Sequence, residues 1–436
     1  MLNPPLSLLS DDLLSHIVEN LAKLPFSNKN LSNLSVADRA FTQSCQKYIF
    51  RDLRLSNTEK ISQRLQNLKA VLDDKPKLAT HVRLVELANE TAWLFDDHTF
   101  IDILLLLANS PVPPHTLLFG RFMGYSQIIH DPILVVRWLT QSFFSRTLTV
   151  LHLKECKNVP LPIFLICPKL RELSLDQVGA TEDTYDEYPD DLCSRRDSPP
   201  LEVLNYRNSH SVVEQIITPP PRFNTPVVLW SNLRTLTLAP RDKEGLPYLQ
   251  PILDAASNTL EELYLTDIYV GQSQQILLAG LVNLSNLLNL RVFSVFAVIN
   301  CNIRRKAPRP AVLHDLNIVL GTIPKSNKIT NLSFDFDIIG RRPFNGCLDQ
   351  DWVGTFDEII RISDGKPLEL ELAMAVSTGN LGVDHPGAGE LYRDITEKSA
   401  SLSDHPEICA HFWNPTFWAR GVGPFPRGQV RGRCRR

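Results

Sequence analysis

The sequence predicts an α/β protein. A short helical segment over residues 1–55 comes first, then a linking helix over 56–80, then strands and helices alternating around a parallel sheet over 81–374, and last an irregular or disordered tail over 375–436. Three observations carry this reading. Apolar residues near the start recur at helical spacing between local start and stop signals. From Val82 onward the pattern apolar-x-x-apolar-x-apolar returns along the chain, with helical patterns between its instances. From about Gly379 the pattern is gone.

In the first helix Leu13, Leu14, Ile17, Val18 and Leu21 make one apolar stripe. Ser10 is placed to cap it, Asp11 and Asp12 meet the positive end of the helix dipole, and Pro25 lies just past the last periodic residue. A second start stands at Ser35-Val36-Ala37-Asp38, a capping-box spacing before Phe41, Cys45, Tyr48 and Ile49 on one helix side. A segment of about fifty residues buries too little to stand alone, so it needs a partner or the rest of the chain.

These residues resemble an F-box of the form common in mushroom-type fungi. The resemblance rests on Leu9-Ser10-Asp11-Asp12-Leu13, on Ile17-Val18 with Leu21, on Leu34-Ser35 before Phe41, and on Cys45-Gln46-Lys47-Tyr48-Ile49-Phe50-Arg51. It implies docking onto the Skp-type adaptor of a cullin-RING ubiquitin ligase, with Leu9, Leu13, Ile17, Leu21, Leu34, Phe41 and Phe50 forming or supporting the adaptor-binding surface. Two departures stand out: Ser10 occupies a position where the family usually has proline, and Pro25 to Asn30 lengthens the first connection. The other reading is a small helical cap with no partner.

Further on, Ile61, Leu65, Leu68 and Leu72 step at helical spacing and Pro76 closes the linking helix. The clearest repeat is Leu148-x-x-Leu151-x-Leu153-x-x-Cys156-x-x-Val159, followed by Leu170/Leu173/Leu175. Val82/Val85/Leu87, Leu201/Leu204/Tyr206, Leu233/Leu236/Leu238, Leu260/Leu263/Leu265, Leu290/Phe293/Val295 and Ile329/Leu332/Phe334 follow the same spacing, and Leu368, Leu370 and Leu372 suggest a last strand. Helical patterns fall at Phe100 to Leu107, Ile133 to Phe144, Leu246 to Ala256 and Ile276 to Leu288. The pattern resembles the leucine-rich repeat, whose strand buries alternate residues while the next segment crosses back. Its uneven spacing implies an irregular solenoid. An unrelated α/β domain with Leu-rich parallel strands is the alternative.

In such a solenoid the residues alternating with the buried ones point to the concave face. These are His152, Ser174, Asn205, Thr237, Tyr264, Ser294 and Ser333, the predicted partner-binding strip, with Glu172, Glu262, Asp176 and Asp335 beside them against only Lys154 and Arg207. Tyr264 offers the largest contact area.

A net charge of -3 with 21% charged residues gives no global pull toward nucleic acid or membrane. The richest apolar stretch, Leu277 to Ile299, is broken by Asn283, Asn286, Asn289 and Arg291, so it reads as helix then strand rather than a membrane span. Eight cysteines without a C-x-x-C pair, and no secretory signal, point to reduced thiols in the cytoplasm or nucleus. No dinucleotide, phosphate-loop, hydrolase-elbow or zinc-protease motif occurs, so no catalytic, cofactor or metal residues are assigned. His405, Cys409 and His411 lack a fourth ligand for structural zinc. The acidic stretch from Thr181 to Leu192 reads as a solvated loop, and the Arg-rich end from Arg420 as a disordered tail. The expected function is a non-catalytic substrate receptor of a ubiquitin ligase; the alternative is a repeat scaffold not coupled to ubiquitin transfer.

Overall fold

The computed structural model describes residues 10–24, 27–56, 60–88, 97–120, 127–129, 131–182, 185–186, 188, 190, 197–223, 226–239, 243–266, 278–300, 312–339, 345–377 and 388–413. The chain is mixed α/β, with three helices ahead of a twelve-stranded parallel sheet. The strands are β1 (Asp52–Ser56), β2 (Leu84–Ala88), β3 (Thr116–Gly120), β4 (Val150–Lys154), β5 (Glu172–Asp176) and β6 (Val203–Arg207). They continue with β7 (Thr235–Ala239), β8 (Glu262–Leu265), β9 (Val292–Asn300), β10 (Asn331–Ile339), β11 (Leu368–Ser377) and β12 (Ile408–Trp413), and sheet order is chain order. Two compact units divide the chain, Met1–Asn205 with Ser209–Asn232, and Tyr206–Asn208 with Leu233–Arg436. No helix among the described residues is long and apolar enough to cross a membrane.

The first unit opens with helices α1 (Asp11–Ala22), α2 (Ser27–Ala37) and α3 (Thr42–Ile49). Ser10 is extended and its hydroxyl accepts from the Leu13 amide at 3.4 Å, so the start of α1 is written where the sequence puts it. The apolar stripe, however, divides. Leu14 and Val18 bury against Leu31, Phe41 and Cys45, while Leu13 and Ile17 face outward. Two local expectations are corrected. Ser35 to Ala37 close α2 rather than open a helix, and Asp38 is the cap, its carboxylate accepting from Ala40 at 2.8 Å ahead of a 3-10 turn. The first connection is short, because Ser27 already begins α2.

Each strand of the first unit sends alternate residues into the core. Val85, Leu117, Leu151 and Leu173 are successive register partners and all are buried. Strand starts are set by a recurring bridge in which two consecutive amides donate to one carbonyl of the preceding connection. Arg83 and Leu84 donate to Arg51, His115 and Thr116 to Arg83, Thr149 and Val150 to His115, and Arg171 and Glu172 to Thr149. At the close of β4 and β5 the chain turns through left-handed Glu155 (φ 51°) and Gln177 (φ 57°). Strands β1 and β3 escape the sequence reading for local reasons. Phe50-x-x-Leu53-x-Leu55 carries the repeat spacing but runs directly on from α3, and Pro114 takes the first apolar place before Leu117 and Phe119.

The second unit repeats the scheme. Leu236, Leu263, Phe293, Leu332 and Leu370 are buried register partners, and paired amides converge on the carbonyls of Arg234, Glu261 and Arg291. Strands β9 to β11 are longer, adding Phe336, which stacks on Phe334 and meets Trp352 of the helix Trp352–Ser363 edge-on. The helix expected over Ile276 to Leu288 does not form in its described part, 278–288, which runs in turns. Neighbouring side chains take its amides instead. Asp315, itself buried, accepts from Leu278 and Ala279 at 2.8 Å each, Gln250 accepts from Asn283 at 2.8 Å, and Thr322 accepts from Leu284 at 2.9 Å. With those donors satisfied, Leu278, Val282, Leu284 and Leu287 bury without a helix. The irregular tail expected from residue 375 also gives way. Strand β11 runs to Ser377, the helix Ala388–Lys398 follows, and β12 pairs with β11 from Leu368↔Ile408 to Ala373↔Trp413. Residues beyond Trp413, including the Arg-rich end, lie outside the described residues.

The capture of two amides by Asp315 has a measurable cost. Asp315→Ala orphans both, at roughly 1–3 kcal/mol for each buried group left unsatisfied, so urea unfolding of the second unit should shift to clearly lower denaturant. An unshifted midpoint would mean that the turn at residues 278–288 does not depend on this carboxylate.

Candidate protein-interaction surfaces

The first surface lies on α1. Leu13 is 53% exposed and Ile17 43% exposed, one turn apart and outside the core that Leu14 and Val18 supply. Leu24, just beyond the helix, is also exposed. Of the other residues assigned to adaptor contact, Leu21 and Leu34 are half-buried and pack on the core from its edge, Phe50 is half-buried, and Phe41 belongs to the core itself. Leu9 lies outside the described residues. The outward ridge is therefore narrower than the sequence stripe.

The second surface is the face of the sheet opposite the core residues. In the first unit, register brings Arg54, Glu86, Leu118, His152 and Ser174 side by side on β1 to β5, with Asn205 at the matching place on β6. Glu86 is buried and pairs with the Arg54 guanidinium at 3.0 Å. Burial pushes its carboxyl above the ordinary range, Arg54 pulling back and Asp52 adding to the rise. His152 lies 3.7 Å from Glu172; burial lowers the imidazole and raises the carboxyl, so desolvation disfavours the charged form of each. Ser174 is buried beside His152 as its register partner.

In the second unit the row is Thr237, Tyr264, Ser294, Ser333, Glu371 and His411. Tyr264 is half-buried and donates to Glu262 at 3.0 Å; burial first, then the neighbouring carboxylate, pushes its phenol well above the ordinary tyrosine range. Thr237 is buried, so like Ser174 it shapes the floor of the face rather than its contact edge. Ser294 and Ser333 are half-buried.

Other candidates resolve into structure. His405 pairs with Glu407 at 3.1 Å, while Cys409 Sγ meets His411 Nε2 at 3.3 Å; among the described residues no group of three ligands could hold a metal ion. Cys156 is buried and bonded to the carbonyls of Phe119 and Lys154, and burial raises its thiol to about 12. In the described part of the acidic stretch the acids Glu182, Asp186 and Asp190 are exposed, as a solvated loop requires, while its two tyrosines are anchored. Tyr185 and Tyr188 are buried, and Arg222 donates to both their carbonyls and to Asp190. Two aromatics among the acids were the signal for this.

Sequence reasoning passed over Glu86 and Arg54, although Glu86 occupies the same middle place between Val85 and Leu87 that His152 holds between Leu151 and Leu153. No protein-family model matches the chain, and no curated protein matches it.

Glu86 yields a pH test. With its folded carboxyl raised, the stability contributed by its bound proton is fully present below the unfolded value and lost as pH rises through the folded one. Glu86→Gln should therefore be more stable than the parent at about pH 7, with the gain shrinking toward about pH 4, where the glutamate is protonated in both states. Denaturant midpoints at the two pH values check this. A variant destabilised at about pH 7 would show that the Arg54 pair outweighs burial.

Proposed function

We propose that the protein is a substrate-recognition subunit of a Skp-cullin-F-box ubiquitin ligase. The N-terminal helices act as the F-box, and the sheet with its crossing segments acts as an irregular leucine-rich-repeat solenoid that holds a protein substrate. Ubiquitin transfer itself belongs to other subunits. The observation that carries the adaptor reading is the division of α1, in which Leu14 and Val18 complete the core while Leu13 and Ile17 stay outside it. A three-helix unit gains nothing in stability from an exposed leucine and isoleucine one turn apart, whereas an adaptor groove would bury them. The solenoid reading is supported by the in-register rows of buried Leu and Phe and by the amide bridge that recurs at strand starts.

Because Leu13 and Ile17 are exposed, replacing both by alanine should change folding stability by no more than about 0.5 kcal/mol each. Co-purification of the full-length Leu13→Ala/Ile17→Ala variant with a Skp-type adaptor should fall about tenfold or more, since each tenfold is about 1.4 kcal/mol of lost contact. Adaptor recovery equal to that of the parent would leave the scaffold reading in its place.

A further inference from the structure

We propose that the strand-start edge of the first unit binds a short Asp/Glu-rich segment of a partner protein through Lys47, His81, Arg83 and His115. The inference goes beyond the adaptor reading and does not rest on it. These residues come from α3, from the 3-10 turn Pro76–His81 and from the positions just ahead of β2 and β3, not from the outward ridge of α1.

The amide bridge at the strand starts sets one residue of each connection beside the next. Arg51, Arg83, His115, Thr149 and Arg171 are joined in this way, each amide donating to the preceding carbonyl at 2.9 to 3.2 Å, and four of the five are basic residue types. The ends of this row are neutralised, because Arg51 pairs with Asp52 at 3.1 Å and Arg171 with Glu202 at 3.0 Å. The centre is not. Among the described residues no carboxylate lies within ion-pair distance of Lys47, His81, Arg83 or His115. Acids of the same unit are committed to other cations, Asp73 to Lys69 at 2.9 Å and Glu86 to Arg54 at 3.0 Å.

The centre of the row is also held in place. Arg83 Nη1 donates to the carbonyls of Thr80 at 2.7 Å and Val82 at 3.0 Å, which fixes the half-buried guanidinium while Nε and Nη2 are not spent. A donor fixed before a ligand arrives loses little freedom when it binds. Lys47 is exposed on α3, with its ammonium 5.9 Å from the centre of the Tyr48 ring. Burial first, then Arg83, holds the imidazoles of His81 and His115 below their ordinary range, and Lys47 adds to this at His81. The charges acting on both rings are therefore positive, and an incoming carboxylate would relieve that repulsion.

Charge chooses the occupant. At about pH 7 the centre carries two lasting cations, Lys47 and Arg83, beside two neutral imidazoles that offer one N–H donor each. A pair of carboxylates on one segment matches this set. Nucleic acid draws its affinity from many phosphate contacts, and two cations on a chain of net charge -3 offer few. Five strands at about 4.8 Å separation span about 19 Å, the reach of about six extended residues.

The probe is a fluorescein-labelled peptide of alternating Glu and Ser, about eight residues long, titrated with the full-length chain by anisotropy. Lys47→Gln/Arg83→Gln should bind it about tenfold more weakly, while Arg64→Gln/Lys157→Gln, which removes the same charge from exposed positions elsewhere in the unit, should stay within about twofold of the parent. Thermal melts establish which variants fold. Lys47→Glu, at an exposed position, carries the test alone if loss of the Arg83 bonds unfolds the double variant, and it should weaken binding about fivefold or more. Affinity should fall as ionic strength rises from about 0.01 M to about 1 M. Parent-like binding by Lys47→Glu, equal loss from the Arg64/Lys157 variant, or equal binding of an alternating Arg and Ser peptide would each overturn the proposal. So would tighter binding of a single-stranded oligonucleotide than of the acidic peptide. Adaptor co-purification on the same samples separates the two readings: Lys47→Glu should retain the adaptor, Leu13→Ala/Ile17→Ala should retain the peptide, and loss of the adaptor with unchanged peptide binding in Lys47→Glu would assign this edge to adaptor docking instead.

Discussion

The constraint on which each unit depends is the double amide bridge at the strand starts. Two consecutive N–H groups point at one carbonyl of the preceding connection, as Thr149 and Val150 do toward His115 in the first unit and Arg291 and Val292 toward Glu261 in the second. Because the side-chain period of a strand is two, a slip of one residue would turn Leu151 or Phe293 out of the core. The bridge resists that slip at the point where each strand begins. It also satisfies donors that a parallel strand entering from a connection would otherwise carry unpaired. Hydrophobic burial supplies most of the stabilisation, but the bridge decides which residues are buried.

A consequence is that the opposite face is assembled with equal regularity and no hydrophobic demand. Side chains there answer to electrostatics and desolvation. In the first unit this produces buried groups held away from charge, with Glu86 leaning on Arg54 and with the His152 and Glu172 pair losing solvation. In the second unit the same kind of row is mostly small and polar, and it is more open toward β11, where Glu371 is exposed. A Ser, His and Glu grouping arises in the first unit from register alone, which shows how alternation sets polar residue types side by side.

The N-terminal helices illustrate a different division of labour. Leu13 and Leu14 are chemically alike and adjacent, and Ile17 and Val18 nearly so, yet one of each pair completes the core and the other does not. The helical period places them about 100° apart, and the core is too small to cover the whole arc. Leu13 and Ile17 are thus left as exposed apolar side chains on a small unit.

The sequence by itself determined the α/β class, the parallel strands wherever apolar-x-x-apolar-x-apolar stands alone, and the start of the first helix, because periodicity and a capping serine act locally. It also determined which residues share a face, since alternation needs no knowledge of neighbours. Only the tertiary structure decided the rest. The turns at 278–288 replace an apparent helix because Asp315, Gln250 and Thr322, distant in sequence, take the amides. Strands β1 and β12 exist because a neighbouring strand supplies their hydrogen bonds, where the spacing merges with a helix at Phe50 or is not apolar at His405. Exposure on α1, the burial of Ser174 and Thr237 and the packing of Tyr185 against Tyr188 likewise depend on what the fold brings over each residue. Local pattern fixes direction along an element, whereas burial is a property of what lies across from it.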